Sequence, residues 1–392
     1  MTAPRRSRLR AATLVLAVVG VVLAGEPGLA TAGAAPSRSV AARPHVPQAC
    51  SVAKKLASWS LSRLAAQTLG TAAREDDVDS LAEEVSIGIG GIVLFGSFAP
   101  AELGQELAVL VARAPGDVKP VVMTDEEGGL VQRMPNLVGS IPAARTMGAT
   151  MSPAQIEALA TEVGRRMRAA GVTMDLAPVL DVDGGVGPNA RDPDGTRSFS
   201  ADVAVASADG LAFASGLERA GVIAVVKHFP GLGGVSGNTD VGPAATIPWR
   251  RLERTGLLPF IKAIDAGAEA VMVANASVPG LTSVPASLSA VVETGLLRGR
   301  LHFQGLIVTD ALSAVAITAT GLTVPQAAVA ALRAGADLLL YQEPAGTTAS
   351  VTKEIVHAIV GAVGSGELTR AQLVAAVSYV LAAKRVDLCA NR

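Results

Sequence analysis

The chain repeats one pattern: a helix-like amphipathic segment, then Ala-Gly, then a short apolar run that ends in polar residues. It occurs at 165–181 (RRMRAAGVTMDLAPVLD), 216–228 (GLERAGVIAVVKH), 260–275 (FIKAIDAGAEAVMVAN) and 330–342 (AALRAGADLLLYQ). In each, the Ala-Gly pair stands where a helix ends on a glycine in the left-handed conformation. The residues after it are apolar enough for a strand buried on both faces. Runs 91–96 (GIVLFG), 121–125 (VVMTD) and 305–310 (GLIVTD) read as strands of the same kind. These add up to seven strands alternating with helices, and the pattern places no eighth.

Such alternation predicts a parallel sheet, which a doubly wound fold and a closed barrel would both satisfy. Polar residues gather just after the strands, at Asp125, Asp181, Lys227, His228, Asn275, Asp310 and Gln342. A barrel collects its active site at that end. The expected fold class is therefore α/β, a single-domain (β/α)8 barrel.

The ends of the chain read differently. Arg5, Arg6, Arg8 and Arg10 precede an apolar run over 11–24, and Ala30-Thr31-Ala32 offers a small-residue cleavage site. Residues 1–32 are thus expected to be a signal peptide, residues 33–49 a disordered linker rich in Ala, Pro and Ser, and residues 50–392 the folded domain. The apolar run is too short for a stable membrane anchor, so the product is expected to be secreted. Cys50 and Cys389 stand at the two ends of the domain. After export they would be expected to form a disulfide, contributing up to about 4 to 5 kcal/mol in a chain-entropy account.

Composition narrows the partners. Half of the 392 residues are hydrophobic and the formal net charge is −1, which gives no reason to expect nucleic acid. Four histidines and two distant cysteines suggest no metal centre, and no cofactor motif is present: the glycines of 231–237 lack the Lys-Ser/Thr of a phosphate loop. Carboxylates and basic groups at a barrel mouth suit hydrolysis or transfer on a polar substrate. A sugar fits best, because a glycosidic bond needs one carboxylate at the anomeric carbon and a second group to protonate the leaving oxygen.

Several motifs give this a sharper form. Lys227-His228-Phe229-Pro230-Gly231, Asp125-Glu126-Glu127-Gly128-Gly129 with Gln132-Arg133, Arg197-Ser198-Phe199 and Val308-Thr309-Asp310-Ala311-Leu312 occur in that set and resemble glycoside hydrolase family 3. The chain is most similar to the single-domain β-N-acetylglucosaminidase branch, since no sandwich-like domain follows residue 390. The resemblance implies a retaining β-glycosidase with Asp310 as nucleophile. It also implies that Asp125, Arg133, Arg197, Lys227 and His228 bind the sugar, with a monomer acting on an N-acetylglucosamine-containing glycan.

One motif departs from that branch. The loop after Lys-His-Phe-Pro-Gly carries an Asp-Ser-His triplet there, whose His is the acid/base. Here Asn238, Thr239 and Asp240 occupy the three positions. Asp240 is accordingly expected to be the acid/base, its carboxyl tuned by burial or by Asp310, with Asn238 and Thr239 supporting the loop. The alternatives are a barrel that binds a glycan or protein without turnover, or a β-glycosidase for another sugar.

Overall fold

The computed structural model describes residues 51–344 and 346–390. The expected leader and linker and Cys50 lie outside the described residues. Eight parallel strands form the main sheet: β1 (Leu69–Ala73), β2 (Gly91–Leu94), β3 (Val121–Thr124), β4 (Met174–Asp175), β5 (Ile223–Phe229), β6 (Ala270–Val273), β7 (Leu306–Thr309) and β8 (Leu339–Tyr341). Strand β8 pairs with β1, setting Leu69 opposite Leu339, and a parallel bridge between Val308 and Leu338 joins β7 to the residue before β8. That bridge completes the ring, so the alternation resolves to a (β/α)8 barrel rather than an open sheet.

All seven strands expected from the pattern are present. The glycines that end the four repeated helices have positive φ: +85° at Gly171, +78° at Gly221, +90° at Gly267 and +124° at Gly335. At Gly221 and Gly267 a Cβ would meet no atom within 4 Å, so the backbone angle alone calls for glycine there. The helix Pro153–Ala169 shows how the other end is set. Ser152 Oγ accepts from Gln155 N–H while Gln155 Oε1 accepts from Ser152 N–H at 2.8 Å, a reciprocal cap.

The strand missing from the sequence reading is β1. Its residues, Leu-Gly-Thr-Ala-Ala, are small rather than bulky, and Thr68 alone separates it from the helix Leu61–Gln67. The small residues are needed for packing: a Cβ on Gly70 would come within 2.8 Å of Leu340 Cδ2 on the neighbouring strand. Gly70 thus leaves room for the side chain of Leu340, its partner in the β1–β8 register.

Side chains alternate along every strand, one parity inward and the other toward the helices. Val121 and Met123, Ile223 and Val225, Ala270 and Met272, and Leu306 and Val308 form the barrel interior. Val122, Val226, Val271 and Ile307 pack outward under the helices. Val380 and Ala383 of the helix Arg370–Ala383 join the interior cluster. Continuing the inward parity upward places Asp125 beyond Met123, Lys227 beyond Val225 and Asp310 beyond Val308. The chemistry of the mouth is thus in register with the apolar layers below.

Candidate active site

A cavity of about 620 Å³ opens at the C-terminal end of the strands. Asp125, Arg133, Arg197, Lys227, His228, Asn238, Thr239, Asp240 and Asp310 all line it. The fold therefore brings together the expected catalytic, sugar-binding and loop-support residues from four different crossovers, while Asp181 and Asn275 do not line the cavity.

One wall is an ion-pair network. Lys227 Nζ lies 2.5 Å from Asp125 Oδ1 and 2.6 Å from Glu127 Oε1. Arg197 grips the same Glu127 with both arms of its guanidinium, Nε to Oε2 and Nη2 to Oε1, each at 2.7 Å. Arg133 Nη2 stands 3.8 Å from Asp125 Oδ2, and its guanidinium lies 4.2 Å over the Phe95 ring. Burial opposes charge on Lys227, but Asp125 and Glu127 outweigh it and hold the ammonium protonated. For Glu127 burial pushes the carboxyl up, yet Arg197 and Lys227 bring it well below the usual carboxylate range. Glu127, Lys227 and Arg197 are thus held in their charged forms, and neither Lys227 nor Arg197 can serve as a base. Asp125 bonds basic side chains rather than capping a loop.

Glu127 is the residue that the sequence reading left without a role. It is buried and ties the β3 arm to both Arg197 and Lys227. Its place within Asp-Glu-Glu-Gly-Gly was visible, but only the fold shows which of the two glutamates faces the cations. The other, Glu126, turns away and accepts from the N–H groups of Arg133 (2.9 Å) and Met134 (2.7 Å).

Behind this wall Asp181 organises the loop after β5. Its carboxylate accepts from the N–H of Leu232 at 2.6 Å and of His228 at 3.2 Å, and meets His228 Nδ1 at 2.7 Å. Burial, with Arg197 and Lys227 adding to it, drives the imidazole down to about 4. His228 therefore faces the cavity as a neutral ring. Asp181 itself is pushed up to about 7 by burial, against the pull of its backbone donors.

Across the cavity, Asp310 follows β7 directly. Its Oδ1 accepts from Ala311 N–H at 2.7 Å, and the helix Val315–Thr318 starts four residues on from Ala311, with Ala314 at its cap. Asp310 is therefore not that helix's cap. Burial and the charge of Asp240 push its carboxyl up, while the Ala311 N–H and Lys227 pull it down. Asp240 stands exposed at the rim, so the burial expected around it is absent. Its loop is nevertheless pinned: Asn238 Oδ1 accepts from Asp240 N–H at 2.8 Å, Asn238 N–H donates to Ala190 O at 3.1 Å, and Thr239 O accepts from Ala316 N–H at 2.9 Å.

A parallel barrel whose mouth sets carboxylates opposite a fixed array of charged donors, around a space of sugar size, defines a barrel glycosidase. The comparison with known proteins makes the class specific. The glycosyl hydrolase family 3 N-terminal domain matches residues 62–383, and the chain belongs to this family. Beta-hexosaminidase LpqI of Mycobacterium tuberculosis is 35% identical over 351 residues, 87% of this chain and 88% of that protein. The solved structure of M. tuberculosis LpqI has a TM-score of 0.76 at 33% identity, covering 86% of this chain and 97% of that one. A beta-hexosaminidase of Xylella fastidiosa is 33% identical over 324 residues, 79% of this chain and 93% of its own. The structure of a beta-N-acetylhexosaminidase from Beutenbergia cavernae, 32% identical, has a TM-score of 0.74, covering 84% of this chain and all of that one. The chain is a glycoside hydrolase.

Proposed function

We propose that this enzyme is an exported, monomeric, retaining exo-β-N-acetylhexosaminidase that removes terminal N-acetylglucosamine from glycans. The observation that carries the reading is the single cavity that joins Asp310, Asp240 and the Asp125–Glu127–Lys227–Arg197 network. The names of the similar proteins supply the sugar.

In this reading the sugar hydroxyls are held by Asp125, Arg133, Arg197, Lys227 and His228, which charge-assisted bonds keep in place before substrate arrives. Asp310 attacks the anomeric carbon, forming a C–O bond as the bond to the leaving oxygen breaks. Asp240 gives its proton to that oxygen. In the second step Asp240 takes a proton from water, whose oxygen displaces Asp310 and restores both carboxyl groups. Asn238, through its side-chain Oδ1 and its N–H, and Thr239, through its carbonyl, hold the loop that carries Asp240. No helix among the described residues is long and apolar enough to cross a membrane, and export rests on the leader read from the sequence.

The deciding experiment is a slow fluorinated N-acetylglucosaminide. Mass spectrometry should find the sugar covalently on the peptide carrying Asp310. Turnover without an adduct there, or cleavage of a β-glucoside with the N-acetylglucosaminide untouched, would overturn the mechanism or the sugar respectively.

A further inference from the structure

Asp194 takes no part in the chemistry above. It precedes the short turn Gly195–Arg197, is 0% exposed, and neither of its carboxylate oxygens has a hydrogen-bond partner. A carboxyl withdrawn from water without a partner is costly, so an orphan of this kind needs an explanation. The charge of Arg197 acts on Asp194, but no neighbouring cation hydrogen-bonds to its carboxylate. Arg197 is bonded twice to Glu127, and Lys227 is shared between Asp125 and Glu127.

Two other potential ligands do surround it. One donor atom each from Asp181, Asp194 and His228 lies within 4.8 Å of the others, and all three residues are buried. His228 offers a ring nitrogen and the two aspartates offer carboxylate oxygens. We propose that Asp181, Asp194 and His228 bind a single divalent transition cation of the zinc type. An imidazole nitrogen with two carboxylate oxygens is a donor set that zinc takes readily, leaving one position for water. Magnesium and calcium prefer an all-oxygen shell, and an imidazole suits them poorly. The three residues stand 13 and 34 positions apart along the chain, with Asp194 followed by Arg197 and His228 preceded by Lys227. No ligand spacing in the sequence betrays them. The cation would lie behind the sugar pocket, sharing His228 with it, and the proposal stands apart from the glycosidase reading because its test needs no substrate.

The test uses the whole protein stripped of metal. Isothermal titration with zinc chloride should show one saturable equivalent per chain and a higher melting temperature, while magnesium chloride should give neither. Asp194→Asn should weaken zinc binding by at least about tenfold and abolish the melting shift. A control lacking the exposed histidines, His302→Ala with His357→Ala, should bind as the parent does. X-ray absorption on the zinc-loaded parent should show one imidazole among oxygen ligands, a readout that survives if Asp194→Asn fails to fold. The proposal is overturned by zinc binding that never saturates, by unchanged affinity in Asp194→Asn, by loss of binding in the histidine control, or by a zinc shell containing sulfur.

Discussion

Replacing Glu127 with Gln tests whether the ion-pair wall positions the sugar-binding groups or merely fills space. The carboxylate takes three short bonds, two from Arg197 at 2.7 Å and one from Lys227 at 2.6 Å, in a buried position. An amide of the same shape keeps one acceptor oxygen, but turns an N–H₂ toward cations that can only donate. Removing one partner of a buried pair costs about 3 to 5 kcal/mol. Gln retains part of the bonding, so about 3 kcal/mol is expected here, which corresponds to roughly two orders of magnitude in kcat/KM if it falls on positioning in the transition state. The assay is hydrolysis of an aryl N-acetyl-β-glucosaminide, run beside urea unfolding. The acid limb gives a second readout. Burial raises the Glu127 carboxyl but Arg197 and Lys227 hold it well below the usual range. The stability from a depressed carboxyl is fully present above the unfolded value of about 4.3 and lost as pH falls through the folded value, and the Gln variant should lack that loss. Activity within about threefold of the parent, together with an unchanged acid limb, would refute the positioning role.

Asp240→Ala should lose far more rate on a poor leaving group than on an activated aryl glycoside, with azide restoring turnover; small and equal losses would remove Asp240 from proton transfer. Glu126 is pushed up to about 7, chiefly by burial. A raised carboxyl stabilises fully below its unfolded value and loses that contribution as pH rises through the folded value, so Glu126→Gln should gain up to about 3 kcal/mol over the parent between pH 4.5 and pH 8 in urea melts. An equal difference at both pH values would contradict this. Mass spectrometry of unreduced exported protein should find Cys50 joined to Cys389, and free thiols on both would dismiss the staple.

The sequence by itself determined the barrel and most of its mouth. Short continuous apolar runs and Ala-Gly turns are local physics: a two-faced buried strand and a left-handed helix end each constrain a few adjacent residues. Asp125, Lys227 and Asp310 were legible for a similar reason, since each stands at the end of its own apolar run and inside a motif. Strand β1 escaped because its small residues answer to a neighbour far along the chain, Leu340, rather than to any local periodicity. Only the tertiary structure chose Glu127 over Glu126 as the anchor for Arg197, 70 residues away, and Lys227. It likewise decided that Asp240 stands exposed and that Asp194 is buried beside His228. Burial and pairing of charges depend on which distant segments the closed ring brings together, and no spacing along the chain encodes that meeting.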